Sequence, residues 1–118
     1  MLRDVRDFNR FSGLIRHAGI HDVTIVRPYE NKSIPGIKSD EYVRFISYNV
    51  DDSEDLSITI NFTKRKIVIL NSYYVEVAKT DFDPSLDDLL WALANDIKDE
   101  IDRESPINLL KNFVNSLN

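Results

Sequence analysis

The stretch LSITINF, residues 56–62, alternates strictly between apolar and polar side chains. A period of two places successive side chains on opposite faces of a β-strand, so one face should be buried and the other wet. Such a strand belongs in an antiparallel sheet with one face packed on the core, where helices can cover it. This stretch therefore predicts a sheet with helices on one face.

Three other stretches are rich in β-branched and aromatic residues and are bounded by turn-prone or polar segments. They predict strands over residues 22–29, 42–50 and 67–77. The opening IVIL of the last stretch predicts a central strand that is buried on both faces. Four strands joined by short links are typical of an antiparallel meander.

Apolar residues at every third or fourth position predict an N-terminal helix over residues 3–18. Gly19 follows at a C′ position, where glycine adopts left-handed geometry without strain. Asp83 and Pro84 are typical of an N-cap followed by proline at N1, and the apolar stripe behind them continues to about residue 103. A second Ser-Pro start signal predicts a short final helix over 106–117.

These elements predict one α+β domain over residues 1–118, in the order α-β-β-β-β-α-α, with the helices mainly on one face of a four-stranded antiparallel sheet. The core should contain the inward residues of the third and fourth strands and of the second helix. They are Leu56, Ile58, Ile60, Phe62, Ile67, Ile69, Leu89, Leu93 and Ile97.

Composition excludes several classes of protein. The chain has no cysteine, which removes disulfides and thiolate metal sites and fits a reducing compartment. No apolar run approaches the roughly 18 residues of a membrane span, and the charged N-terminus does not resemble a signal peptide. A cytoplasmic protein that does not bind membranes is the expectation.

Catalytic and metal-binding motifs are absent from the sequence. It has no phosphate-binding loop, dinucleotide-binding glycine pattern or nucleophile elbow. His17 and His21 are four residues apart, a spacing that can share a metal on a helix, but Gly19 should end the helix between them. We expect no catalytic residue, no metal site and no cofactor.

A sheet-based nucleic-acid site is one alternative. Tyr42, Tyr48, Tyr73 and Tyr74 are predicted on neighbouring strands, with a basic tip at residues 64–66, and aromatic side chains beside cations can stack on bases. The formal charge of −5 opposes this, because it would repel a phosphate backbone. Direct binding of nucleic acid is therefore not expected.

The charge is concentrated in residues 81–104, which hold nine acidic and two basic residues. Acidic residues near the start of the helix are favoured by its dipole, whereas those near its C-terminal end are not, and like charges three or four apart repel. The acidic segment 81–104 has two interpretations: it forms a solvated surface that keeps the protein soluble, or it forms a surface that binds a partner. The candidate partner-binding residues are Asp96, Asp99, Glu100, Asp102 and Glu104, with Asp52, Glu54 and Asp55 of the DDSED loop.

The leading hypothesis is a small non-enzymatic protein-binding module, an inhibitor or antidote that occupies a basic, nucleic-acid-handling surface of a macromolecular partner. An adaptor would fit the same features. The alternative from another class is a structural or assembly protein that self-associates through the sheet edge or the tyrosine face. Monomer and homodimer are both compatible with the sequence.

Overall fold

The computed structural model describes residues 1–26, 41–47, 55–104 and 113–117. The elements in chain order are α1 (Val5–His17), β1 (Ile20–Val26), β2 (Tyr42–Ser47), β3 (Ser57–Asn61), β4 (Lys66–Leu70), β5 (Glu76–Asp81), a short 3₁₀ turn (Pro84–Leu86) and α2 (Asp87–Glu104). The α+β class with an antiparallel sheet is confirmed. The C-terminal ends of the first two predicted strands, and residues 106–112 of the predicted final helix, lie outside the described residues; residues 113–116 are helical.

The sheet has five strands in the order β1-β2-β3-β4-β5, and every neighbouring pair is antiparallel. The prediction of four strands was wrong because residues 67–77 are not one strand. The Asn71 side chain accepts hydrogen bonds from the backbone N–H groups of Tyr73 and Val75, and Tyr74 has a φ of 60°. Asparagine commonly caps a turn in this way. The chain reverses there, and β5 follows.

The predicted alternation in β3 is confirmed. Ile58 and Ile60 point to the buried side and pair with Phe45 and Val43 of β2. The β4 prediction was only partly right, since β4 lies second from the edge of the sheet, with Ile67 buried and its next three residues half-buried.

Both helices contribute to one buried cluster with the inward face of the sheet. Phe11 and Ile15 of α1 join Leu90, Leu93 and Ile97 of α2 in it. Most of the predicted core is confirmed, but Leu56, Ile69 and Leu89 are only half-buried. Phe62 extends the cluster, because its ring stacks on Trp91 at 4.0 Å between centroids and meets Phe82 edge-on.

The predicted boundaries of the first two helical segments hold to within about two residues when the 3₁₀ turn is counted with α2. Asp4 caps α1 by accepting a hydrogen bond from the N–H of Asp7, and Gly19 follows the helix with a φ of 66°. Asp83 caps the second helical segment by accepting from the N–H of Ser85, with Pro84 next in the chain. No helix among the described residues combines the length and the apolar character that a membrane crossing requires.

Candidate functional site

The acidic face of α2 lies opposite the side that packs on the sheet. Leu90, Leu93 and Ile97 are buried, whereas Asp96 and Asp99 are exposed. Asp96, Asp99 and Asp102 follow each other at a spacing of three, so they are neighbours on the helix surface. Asp88 lies about three turns before Asp99, on the same side. We call Asp88, Asp96, Asp99 and Asp102 the acidic face.

The carboxylates of α2 differ in their partners. Arg16 of α1 donates two hydrogen bonds to the carboxylate of Glu100, at 3.1 and 3.2 Å. Glu100 therefore ties the two helices together, and the structure places it outside the acidic face. Asp102 lies 3.9 Å from the ammonium of Lys98. Within the described ranges, no cation lies within 4.0 Å of the carboxylate oxygens of Asp88, Asp96 or Asp99, although Arg103 donates to the backbone carbonyl of Asp99 at 3.3 Å.

Two acidic residues near the start of α2, Asp83 and Asp87, have structural roles. The Arg65 guanidinium donates to both carboxylate oxygens of Asp87, at 3.3 and 3.0 Å. This hydrogen bonding is the main cause that raises the pKa of Arg65. The hydrogen bond from the N–H of Ser85 is the main cause that lowers the pKa of Asp83. Arg65 was predicted as part of a basic tip, but this ion pair engages it.

The other predicted partner-binding residues are Glu104 and the acidic residues of the DDSED loop. Asp52 and Glu54 lie outside the described residues, and so does the side chain of Glu104. Asp55 is exposed at the start of the segment that leads into β3. The structure therefore places Asp96, Asp99 and Asp102 together, and it does not test the contribution of the loop.

The histidines fall on different elements. His17 is the last residue of α1 and His21 lies in β1, with the left-handed Gly19 between them. Among the described residues, no group of three or more His, Asp or Glu side chains is placed to hold a metal ion.

The predicted row of tyrosines on neighbouring strands was wrong in its placement. Tyr42 is half-buried on β2, but Tyr73 and Tyr74 occupy the β4–β5 turn, where they are 76% and 79% exposed. Tyr48 lies outside the described residues. The reason is the turn at Asn71, which takes both tyrosines off the sheet.

A groove that the sequence did not predict lies between α1 and the β4–β5 side of the sheet. Its volume is about 310 Å³, and its lining is mainly apolar. Leu14 of α1 forms part of one wall, while Ile69 and Ala78 belong to the strands beneath. In the sequence, Leu14 is only an apolar residue of the predicted first helix. A single apolar residue on a helix does not locate a groove.

The site and fold define a small α+β protein with an acidic helix face. No protein family model, curated protein or solved structure was found to match the chain.

Proposed function

We propose that this protein is a non-enzymatic protein-binding module whose acidic face docks on a basic surface of a macromolecular partner. Three carboxylates without a described cation, Asp88, Asp96 and Asp99, on the exposed side of a helix whose other side is buried, carry the proposal. Elsewhere on α2, Asp87 and Glu100 are engaged in ion pairs within the molecule.

The physical argument is one of preorganisation and charge. Carboxylates held by a packed helix keep their spacing without a further loss of backbone freedom on binding. They can occupy a groove lined by arginine or lysine as phosphates would, and they attract such a surface over a distance set by the salt concentration. An inhibitor or antidote of a nucleic-acid-handling protein fits this chemistry, and so does an adaptor.

The experiment begins with isolation of the partner on the immobilised protein, followed by kinetic measurement of binding. Asp96→Lys with Asp99→Lys should slow association and weaken affinity at least tenfold, because attraction becomes repulsion. The matched control is Asp22→Lys with Glu76→Lys, which changes the net charge by the same amount at exposed positions outside α2.

The two variants separate position from net charge. Equal losses in both would show that only the total charge matters, and no loss in the α2 variant would return the face to a solubilising role. Wild-type affinity should fall as salt rises, since exposed charges are screened over about 8–10 Å at physiological ionic strength. Melting temperatures confirm that each variant remains folded.

Self-association is the second candidate function. The exposed Val77 of β5 and the exposed Val75 just before it favour self-association, because an edge strand with exposed apolar residues can pair with another chain. Sedimentation of the wild type over a range of concentrations tests it, and Val77→Lys should abolish any dimer that uses this edge.

A further inference from the structure

The outer edge of β5 already pairs with a piece of extended chain. Leu2 donates its N–H to the carbonyl of Asp81 at 2.9 Å and accepts from the N–H of Asp83 at 2.8 Å, in a parallel bridge. Asp81 therefore directs its backbone groups outward. Because these groups alternate along a strand, Lys79 presents its own N–H and C=O on the same outer side. Met1 precedes Leu2 on this side and lines the groove, and among the described residues no backbone hydrogen bond reaches the outer side of Lys79.

The two faces of β5 differ at this edge. Ala78 pairs with Ile69 and Thr80 pairs with Ile67, so these small side chains lie on the helix side and line the groove under Leu14. Lys79 also lines the groove, but it pairs with Val68 and alternates with Ala78 and Thr80, which places its side chain on the opposite, uncovered face. A strand added beside β5 would place alternate side chains in the groove and over the uncovered face.

We propose that this edge and the groove bind an extended segment of a partner protein, which adds to the sheet as a sixth strand. The groove accepts its apolar side chains, because small residues at Ala78 and Thr80 leave space over the partly covered Ile69. The open backbone groups of β5 supply hydrogen bonds, as in other complexes formed by strand addition. The surface shares no residue with the acidic face, so the two proposals can fail separately.

Charge selects the kind of segment. Lys79, whose side chain lies on the uncovered face, has no ion pair among the described residues. Asp7, the acidic residue of the lining, accepts the N–H of Arg3. A carboxylate directly across from Lys79 would form a favourable cross-strand pair. The partner segment therefore alternates apolar and acidic residues.

The same features disfavour indiscriminate pairing. The register between β4 and β5 shifts at Leu70, which leaves Val77 as an extra residue, and Lys79 would oppose a cationic neighbour. Bulges and edge lysines are two ways in which proteins protect open strands. For a segment that carries carboxylates, the positive charge of Lys79 is attractive and no longer protects the edge.

The probes are three synthetic octapeptides in which valine alternates with aspartate, asparagine or lysine. Each is titrated to about 1 mM into the isotope-labelled full chain, a range that detects weak complexes. The aspartate peptide should shift the amide signals of Val77, Lys79 and Leu14 in a saturable way. The asparagine peptide should bind more weakly, and the lysine peptide should not bind.

Two protein variants and one modified peptide test the geometry. Leu14→Glu should weaken binding at least tenfold, whereas Val5→Glu, at another exposed apolar position of α1 outside the groove, should not. Lys79→Glu should reverse the preference towards the lysine peptide. N-methylation of the peptide amides that face β5 should abolish binding, and methylation of the alternate amides should preserve it.

Several results would overturn the proposal. They are the absence of shifts with any peptide, equal binding of the aspartate and lysine peptides, and equal binding of both N-methylated peptides. Shifts in the β5 signals on simple dilution of the protein would show that a second copy covers this edge instead. Binding that survives Asp96→Lys with Asp99→Lys supports the groove independently of the acidic face.

Discussion

One half of the sheet is formed by β2 and β3, and the other half by β4 and β5. The two halves have a similar content of apolar residues, yet they differ in how much of their surface the helices cover. In β2 and β3, Val43, Phe45 and Ile60 are completely buried. In β5, five of six residues are exposed, and Val77 retains 54% of its accessible surface. The two halves therefore differ in how far the helices cover them, and they do not differ in the apolar content of their strands.

The two halves of the sheet contribute differently to stability and to binding. Burial of apolar surface stabilises a fold by about 25 cal/mol per Å² removed from water, so the covered half supplies more of the hydrophobic stabilisation. The β5 half leaves an edge and a groove that contribute little to folding and are open to a partner. The acidic face repeats this division on α2, with one side of the helix packed and the other exposed.

The largest effect should come from a cavity in the covered half. Ile60→Ala removes methylene and methyl groups from a fully buried site and should lower the free energy of unfolding by about 2–5 kcal/mol. Val77→Ala in β5 should change it by less than about 0.5 kcal/mol, since surface substitutions rarely do more. Urea unfolding of both variants measures this, and similar losses would break the comparison.

A smaller effect of the opposite sign is expected at the turn before β5. Tyr74 has a φ of 60°, which strains a residue with a Cβ but not glycine. Tyr74→Gly should therefore raise the free energy of unfolding by up to about 1 kcal/mol, the difference between relieved strain and added unfolded-state entropy. Tyr73→Gly, in the same turn without positive φ, should lower it.

The helix-to-helix ion pair should contribute less still. Glu100→Gln breaks its pairing with Arg16, and because both side chains are nearly half exposed the loss should be about 0–1 kcal/mol and should shrink in salt. Asp99→Asn on the acidic face should be neutral or slightly stabilising, because it removes repulsion from neighbouring carboxylates. Thermal unfolding at two salt concentrations distinguishes them; equal losses would place Asp99 in a structural role.

The smallest effect concerns acid stability at the start of α2. The N–H of Ser85 lowers the pKa of Asp83 below its ordinary 3.8, so the unfolded chain takes up the proton first as the pH falls. The stabilisation of the folded state by the Asp83 carboxylate is present above pH 3.8, and it is lost as the pH falls through the folded-state pKa of Asp83. Asp83→Asn keeps a good N-cap and should flatten the dependence of melting temperature on pH below about 4.

The sequence was sufficient for features that depend on neighbouring residues. The alternation of residues 56–62 located β3, Gly19 marked the end of α1, and Asp83 with Pro84 marked the start of the 3₁₀ turn that leads into α2. Each signal is local, because a period, a left-handed residue or a cap acts within one or two turns of chain. The sequence also located the acidic residues of α2, although it could not separate Glu100 from Asp99.

Only the tertiary structure decided which surfaces remain uncovered. The ion pair between Arg16 and Glu100 joins residues 84 positions apart, and no local pattern predicts such a contact. The β4–β5 turn was hidden because an apolar run with two tyrosines has the composition of a continuous strand. The groove exists because α1 leaves the β5 side of the sheet uncovered and because Ala78 and Thr80 are small. Coverage depends on how helices pack across a sheet, which is a property of the assembled layers rather than of any segment.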